Sequence, residues 1–426
     1  MNQMKYLLLT GIALLLAVVS SCTTMGTLER SYDDFTGLDE FFEEHDIPQY
    51  ESTLPRLYFT GTDWNERSLE LIAGATDYIL ISIFLGNYHE TTHDVWELLK
   101  KKMDEGVRVY LIVDSSSYFQ FIPETDIVVP AIFNYLNDLG IPVVEYNPFS
   151  LSNLFFLPAL LDRDHRKYWV VDGTYLSMGG INVNYTSLGL PPETGNIDTM
   201  AEVISPGAVQ QIVTSFVDTW NAYSVDKLST DDFHVPGTLP HDEEVTSFWL
   251  VDHYWRGQAQ VTPMFDAFVL YAQDELWFLQ GYAFLTPALT NRIAFAASRG
   301  VSVHIMFSEF ARKPHYELGA WYGMLDLIDA GATVYMYTSP IGAFLHYKLI
   351  MADRKLTALG SVNYNLRSQT MSREVSYIFD DPRVGSMVMD NINDLMKHAR
   401  VVSREEALEY RNFRNFLYFM LMQFWG

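Results

Sequence analysis

The chain has 426 residues, enough for two or three domains or for one domain built of two halves. Hydrophobic residues make up 49% and charged residues 19%, which excludes a disordered chain and allows a large core. The 28 basic and 53 acidic residues leave a net charge of −25 with no basic block, which disfavours a nucleic-acid partner, and a single cysteine excludes a disulfide framework.

Residues 1–21 read as an export signal, with Lys5 the only charged side chain and Tyr6–Val19 an apolar stretch. Val19-Ser20-Ser21 leads directly into Cys22 and resembles the bacterial lipobox. That resemblance implies lipidation at Cys22, the first mature residue, and Thr23 after it points to the outer membrane of a bacterial envelope. The apolar run is shorter than the roughly 20 residues that span a bilayer, and no later segment qualifies. Attachment by lipid rather than by a helix is therefore expected. Residues 22–54, rich in Asp and Glu between Ser31 and Glu51, read as an acidic tether.

The chain then repeats itself. Ala75–Phe84 and Ala272–Leu279 both read as strands. A helix ending in glycine and a second strand follow in each copy, Gly106–Val113 and Gly300–Phe307, and then Gly140–Tyr146 and Gly331–Tyr337. Strands alternating with helices predict an α/β fold, a mostly parallel sheet flanked by helices, built twice. The halves are expected at residues 55–228 and 263–426, joined by a polar linker over 229–262.

The repeat is sharpest in its next element. His165, Lys167, Asp172, Gly179 and Asn182 recur as His346, Lys348, Asp353, Gly360 and Asn363, each at an offset of 181 residues. In an extended segment His and Lys two apart share a face, so one imidazole and one ammonium can address one phosphate. Two lysines and two asparagine amides can neutralise a phosphodiester without a metal or other cofactor. One neutral histidine can attack phosphorus while the other, protonated, donates to the leaving alkoxide. The phosphohistidine so formed is resolved by water or by an alcohol. Two copies suffice for one site at the junction of the halves, so a monomer is enough.

This paired HxKxxxxD and G[GS]xN pattern resembles the phospholipase D superfamily. Arg163–Lys167, Gly179–Asn182, Gly360–Asn363 and Arg367-Ser368 are similar to its cardiolipin-synthase-like branch, over about residues 75–379. The resemblance implies a glycerophospholipid substrate at a membrane surface and carries over His165, Lys167, Asp172, His346, Lys348 and Asp353 as the catalytic set. His165 is then the nucleophile and His346 the acid, although the pseudo-symmetry allows the reverse. Asn182 and Asn363 bind phosphate, with Ser361 as a helper. Asp172 and Asp353 are expected to orient local structure, Asp172-Gly173 reading as a hairpin turn. Asp198 and Glu374 match the acidic partners that hold the histidine tautomers. Ser372 stands where the family often has Asn.

Three further segments carry expectations. Phe149–Leu161 makes the approach to His165 longer than that to His346 by 11 residues, and it reads either as a lip for acyl chains or as a core helix. The C-terminal apolar run, from Phe413 to Phe424, reads as a helix closing the second half or as an interfacial element. His89-Glu90-Thr91-Thr92-His93 matches a zinc-protease pattern, but two β-branched residues fill its centre and Asp94 with Glu97 reads as a later helix start, so no zinc site is expected. His304 and His315 are read as structural.

Overall fold

The computed structural model describes residues 35–119, 121–122, 127–128, 132–149, 161–188, 195–281, 284–309 and 314–425. Cys22 with its leader, and Leu154, Phe155 and Phe156 of the expected lip, lie outside the described residues. Among the described residues no helix is long and apolar enough to cross a membrane.

The two halves share six corresponding strands within a seven-stranded and a ten-stranded sheet of the described residues. In the first they are β1 (Tyr78–Ile83), β2 (Arg108–Asp114), β3 (Val143–Tyr146), β4 (Tyr168–Val171), β5 (Tyr175–Gly179) and β6 (Met200–Ile204). In the second they are β7 (Glu275–Gln280), β8 (Ser302–Ser308), β9 (Thr333–Tyr337), β10 (Lys348–Ala352), β11 (Leu356–Gly360) and β12 (Ser372–Asp380). The spatial orders, β6-β5-β4-β1-β2-β3 and β12-β11-β10-β7-β8-β9, are the same. The glycines expected to end the helices, Gly106, Gly140, Gly300 and Gly331, all have positive φ, the conformation that lets the chain turn from helix into strand.

The α/β class and the duplication stand, while strand direction is mixed rather than mostly parallel. β1-β2 and β2-β3 pair parallel, but β1-β4, β4-β5 and β5-β6 pair antiparallel, and the second half repeats this. The reason is local. Asp172-Gly173 (φ 51 and 63°) and Asp353-Arg354 (φ 51 and 51°) make tight left-handed turns, which cannot carry the long crossover that a parallel pair requires.

The buried strands feed two sides. Ile79, Ile81 and Ile83 of β1 pack on the outer side of the first half, while Tyr78 and Leu80 enter a central core. Leu349 and Met351 of β10 join the same central core, and Ile350 and Ala352 face the other way. The inner faces of both sheets thus share one core, each large apolar side chain contributing about 1.5–3 kcal/mol of burial. The Tyr377 hydroxyl donates to the Leu176 carbonyl across it at 2.8 Å.

Two boundaries differ from expectation. The described part of the acidic tether is folded. Leu38–Glu43 is a helix whose Leu38, Phe41 and Phe42 are buried in the second half's core, and Gln49–Thr53 pairs with a strand at Val245–Tyr254. Its acid count masked four apolar residues, with Ile47 the fourth. That Val245–Tyr254 strand, placed in the expected linker, pairs with β12, and the buried helix Val261–Tyr271 follows it. The C-terminal helix Phe413–Trp425 buries Phe419 and Met422 but leaves Phe413, Leu417 and Leu421 exposed, so it closes the core with one face only.

Candidate active site

Both His-x-Lys segments lie just before the antiparallel hairpins, and each is stitched into the opposite half. Arg163-Asp164 pairs parallel with Ser372-Arg373, and the His165 amide donates to the Arg373 carbonyl at 3.0 Å. Phe344-Leu345 pairs with Asn196-Ile197, and the His346 amide donates to the Ile197 carbonyl at 2.8 Å. Each histidine therefore sits beside the residue preceding the other half's acid.

The side chains repeat the exchange. His165 Nδ1 lies 3.1 and 3.0 Å from the two oxygens of Glu374. His346 Nδ1 lies 2.7 Å from Oδ2 of Asp198. A carboxylate only accepts, so Nδ1 carries the hydrogen and Nε2 keeps its lone pair for the substrate side. Asp198 and Glu374 are where the sequence put them, but each serves the histidine of the other half.

The two acids are held differently. Asp198 Oδ2 also accepts from Lys348 Nζ at 3.3 Å, and that ammonium is 2.9 Å from His346 Nδ1, which makes a tight triangle. Burial would raise the Asp198 carboxyl, yet Lys348 and His346 hold it below its usual range. Glu374 accepts instead from two neutral hydroxyls, Ser361 Oγ at 2.5 Å and Ser368 Oγ at 2.7 Å. Burial pushes it up to about 7, against the opposing pull of Lys167 and the two serines.

The cations are dry. Lys167 and Lys348 are almost fully buried, and burial lowers both ammonium groups below their ordinary value. Each Nζ donates to its own histidine's carbonyl at 2.5 Å. Lys167 sits 5.1 Å from the centre of the Phe84 ring, which also meets the His165 imidazole edge to face at 4.8 Å. Burial, helped by Lys167, Lys348 and Arg367, pushes His165 well below its usual value. Burial and then Lys348 push His346 down to about 4, against the attraction of Asp198. Burial thus favours the neutral form of both imidazoles. Each feels the other half's lysine, which sets two His-Lys pairs around one site.

Asn182 and Asn363 are both buried at this junction. Asn182 Oδ1 accepts from the Leu85 amide at 2.9 Å, which orients its NH2 end. The Asn363 amide donates to Ser368 Oγ at 3.1 Å. Ser361, expected to help at phosphate, has its hydroxyl committed to Glu374. Ser368 had no role in the sequence reading beyond its place in a flanking motif, yet it braces both Glu374 and Asn363.

Asp172 and Asp353 are corrected out of the catalytic set. Strands β4 and β10 separate them from the histidines. Asp172 accepts from the amides of Thr76, Asp77 and Tyr78 and from the Thr76 hydroxyl, at 2.8–3.1 Å. Asp353 accepts from the amides of Gln273, Asp274 and Glu275. They pin each hairpin turn to the start of the neighbouring strand, as the reading of a local orienting role requires.

The zinc-protease pattern also resolves locally. The helix starts at Glu90, earlier than expected, because His89 is its N-cap and reciprocates with Thr92 in a capping box. Asp94 and Glu97 lie inside that helix and not at its start. His89 Nδ1 is engaged by Thr91, off the helical face that the protease arrangement needs. His304 stacks on Trp277 at 4.2 Å, and His315 lies against Tyr316.

The family described as "Cardiolipin synthase, PLD-like domain" matches residues 69–220 and 269–397. The chain is 26% identical over 361 residues to the minor cardiolipin synthase ClsB of Bacillus subtilis, covering 84% of this chain and 85% of that protein. It is 25% identical over 375 residues to cardiolipin synthase A of Pseudomonas syringae, covering 86% and 73%. Its fold superposes on the crystal structure of phosphatidylserine synthase from Haemophilus influenzae with a TM-score of 0.69 at 12% identity, covering 89% of this chain and 94% of that one.

Proposed function

On the premise that the chain belongs to the cardiolipin synthase, PLD-like domain family, which matches more than half of it, we propose that it transfers a phosphatidyl group between glycerophospholipids. It is an enzyme of the phospholipase D superfamily. The observation that carries the proposal is the exchange at the junction, where two part-buried histidines, each beside a buried lysine, are tied through Nδ1 to the other half's carboxylate.

The roles follow from the difference between the two acids. The histidine that must become imidazolium needs a partner that stays ionised, and Asp198 is held ionised by Lys348. His346 is accordingly the residue that takes up a proton from solvent when the anionic phosphate binds beside it, gives it to the leaving alkoxide, and then acts as the base that activates the incoming alcohol. His165, whose Nδ1 faces Glu374 and whose Nε2 keeps its lone pair, attacks phosphorus through Nε2. The P–O bond to the leaving alcohol breaks as the N–P bond forms, and the acceptor's oxygen later displaces His165. Lys167, Lys348, Asn182 and Asn363 offset the charge on the phosphoryl oxygens. An alcohol acceptor yields a new phosphodiester, whereas water yields phosphatidic acid.

The test uses vesicles of labelled phosphatidylglycerol and phosphatidylethanolamine with EDTA present. Cardiolipin formed by the wild type and lost in His165→Ala is the expected result. Phosphatidic acid alone would make the enzyme a hydrolase, and no turnover would overturn the reading.

We further propose that the protein is tethered to a bacterial envelope through a lipid on Cys22, on sequence grounds alone. Metabolic labelling with a fatty acid, lost in Cys22→Ala, is the expected outcome.

A further inference from the structure

His253 is a third imidazole beside the site, and a fully buried one, that the steps above leave unused. It lies in the strand Val245–Tyr254, directly opposite Glu374 in the antiparallel ladder to β12. Residues opposed in this way project to the same face of the sheet with their Cβ atoms about 5 Å apart. Its Nδ1 accepts from the backbone amides of Gln260 at 2.9 Å and Val261 at 3.4 Å. Two N–H donors on Nδ1 leave the ring hydrogen on Nε2. That Nε2 is buried and makes no hydrogen bond among the described residues. The carboxylates of Glu374 and Asp252 face the ring, and the backbone carbonyls of Gln369 and Gln258 lie close enough to attract its hydrogen without forming a well-aligned hydrogen bond to Nε2. Asp252 is ion-paired with Arg166, whereas Glu374 is held by the Ser361 and Ser368 hydroxyls and by His165.

We propose that His253 is a positioning residue for the reaction, its locked Nε2–H acting as the buried donor that keeps the Glu374 carboxylate ionised and turned to His165. This rests on the phosphatidyl-transfer reading for its kinetic consequence. In a dry site an N–H dipole beside a carboxylate stabilises the anion even before a well-formed hydrogen bond closes. An ionised Glu374 in turn holds the hydrogen on His165 Nδ1 and the lone pair on Nε2. Asp198 has Lys348 in the corresponding supporting place. Burial keeps His253 itself neutral, pushing it down to about 4, so it acts as a fixed donor and not as a second titrating switch.

Two substitutions separate this role from a structural one. His253→Asn keeps an acceptor at the Nδ1 position for the two amides and loses the Nε2 donor. His253→Gln keeps a donor at the Nε2 position and loses the acceptor. Full-length enzyme is assayed for the pH dependence of kcat/KM on phosphatidylglycerol vesicles, with thermal midpoints recorded in parallel. In His253→Asn the acidic limb is expected to move up by about one pH unit with the thermal midpoint preserved. In His253→Gln the midpoint should fall while the limb stays in place. A limb unmoved in His253→Asn, or moved equally in both variants, would overturn the proposal. ¹⁵N-histidine NMR gives a readout that needs no substrate: the pH at which His165 acquires its Nδ1–H pattern should rise in His253→Asn alone. An absent turnover in wild type with this shift present would count against phosphatidyl transfer and not against His253.

Discussion

Replacing Glu374 by Gln separates the two consequences of a buried acid. The carboxylate takes His165 Nδ1 at 3.0 Å and the Ser361 and Ser368 hydroxyls at 2.5 and 2.7 Å. Glutamine is almost the same shape but has one acceptor oxygen and an NH2. Ser368 sits on Oε1 and Ser361 on Oε2, so glutamine keeps its oxygen on one serine while its NH2 replaces the other oxygen, turns that second serine into an acceptor and donates to His165 Nδ1, driving the ring hydrogen to Nε2, where attack on phosphorus must occur. Inverting a catalytic histidine's tautomer in this way costs roughly 10³ to 10⁴ in kcat, about 4–5.5 kcal/mol of barrier. The stability effect has the opposite sign. Glu374 titrates at about 7 in the fold against an ordinary 4.5, so the folded chain binds this proton more tightly than the unfolded chain does. The associated stability is full below about 4.5 and is lost as pH rises through 7, a loss of order 3 kcal/mol. Glu374→Gln removes that titration. At pH 8 its thermal midpoint should equal or exceed the wild type's, while formation of labelled phosphohistidine in a quenched single turnover collapses. The wild-type rate should also fall as pH drops through about 7, and that limb should vanish from the residual activity of the variant. Activity within tenfold of wild type, or a limb that persists, would refute the tautomer argument.

The remaining predictions probe other parts of the site. With a phosphatidyl ester of p-nitrophenol, whose leaving group needs no proton, His346→Ala should keep a burst of p-nitrophenolate and His165→Ala should lose it; the opposite pattern would exchange their roles. Gly180→Ala should reduce kcat by roughly 100-fold or more, because a Cβ there would lie 2.2 Å from Asp198 Oδ1 and displace the acid; near-normal turnover would mean that Asp198 tolerates the shift. Asp172→Ala should lower stability by about 2–3 kcal/mol, read by denaturant melts, and leave kcat near wild type where the protein is folded. Arg166→Met leaves the buried Asp164 and Asp252 without their cation, and melts should show a loss of about 3–5 kcal/mol.

The duplication and the chemistry were legible in the sequence because both are local. A constant offset of 181 residues tied His165, Lys167 and Asn182 to their counterparts, and the glycines before each second and third strand marked the αβ junctions. Strand direction was less legible, since it depends on the turn at Asp172-Gly173, which was read as a hairpin without being carried into the sheet. The folded segment at Leu38–Glu43 was hidden because charge counting averages over a helix that is acidic on one side and buried on the other. Ser368 and His253 could not be found by the repeat at all. Neither belongs to the paired motif residues, and both matter through Glu374, which lies six residues from one and across a ladder from the other.

The exchange of acids is what no pattern within one half can reveal. A motif search assigns Asp198 to the first half and Glu374 to the second, and on that assignment each half looks chemically complete. The structure makes each half incomplete, since His165 lacks its tautomer anchor until β12 is in place and His346 lacks its own until Asp198 is. The short parallel ladders at Arg163-Asp164 and Phe344-Leu345 set this register, and slipping either by one residue would turn the histidine to the other face. Function is thereby coupled to the docking of the two sheets on their common core, and the copies are free to diverge at the acids. One acid became an aspartate neutralised by lysine beneath a glycine, the other a glutamate steadied by hydroxyls and faced by a histidine. That divergence gives two otherwise equivalent imidazoles different tasks.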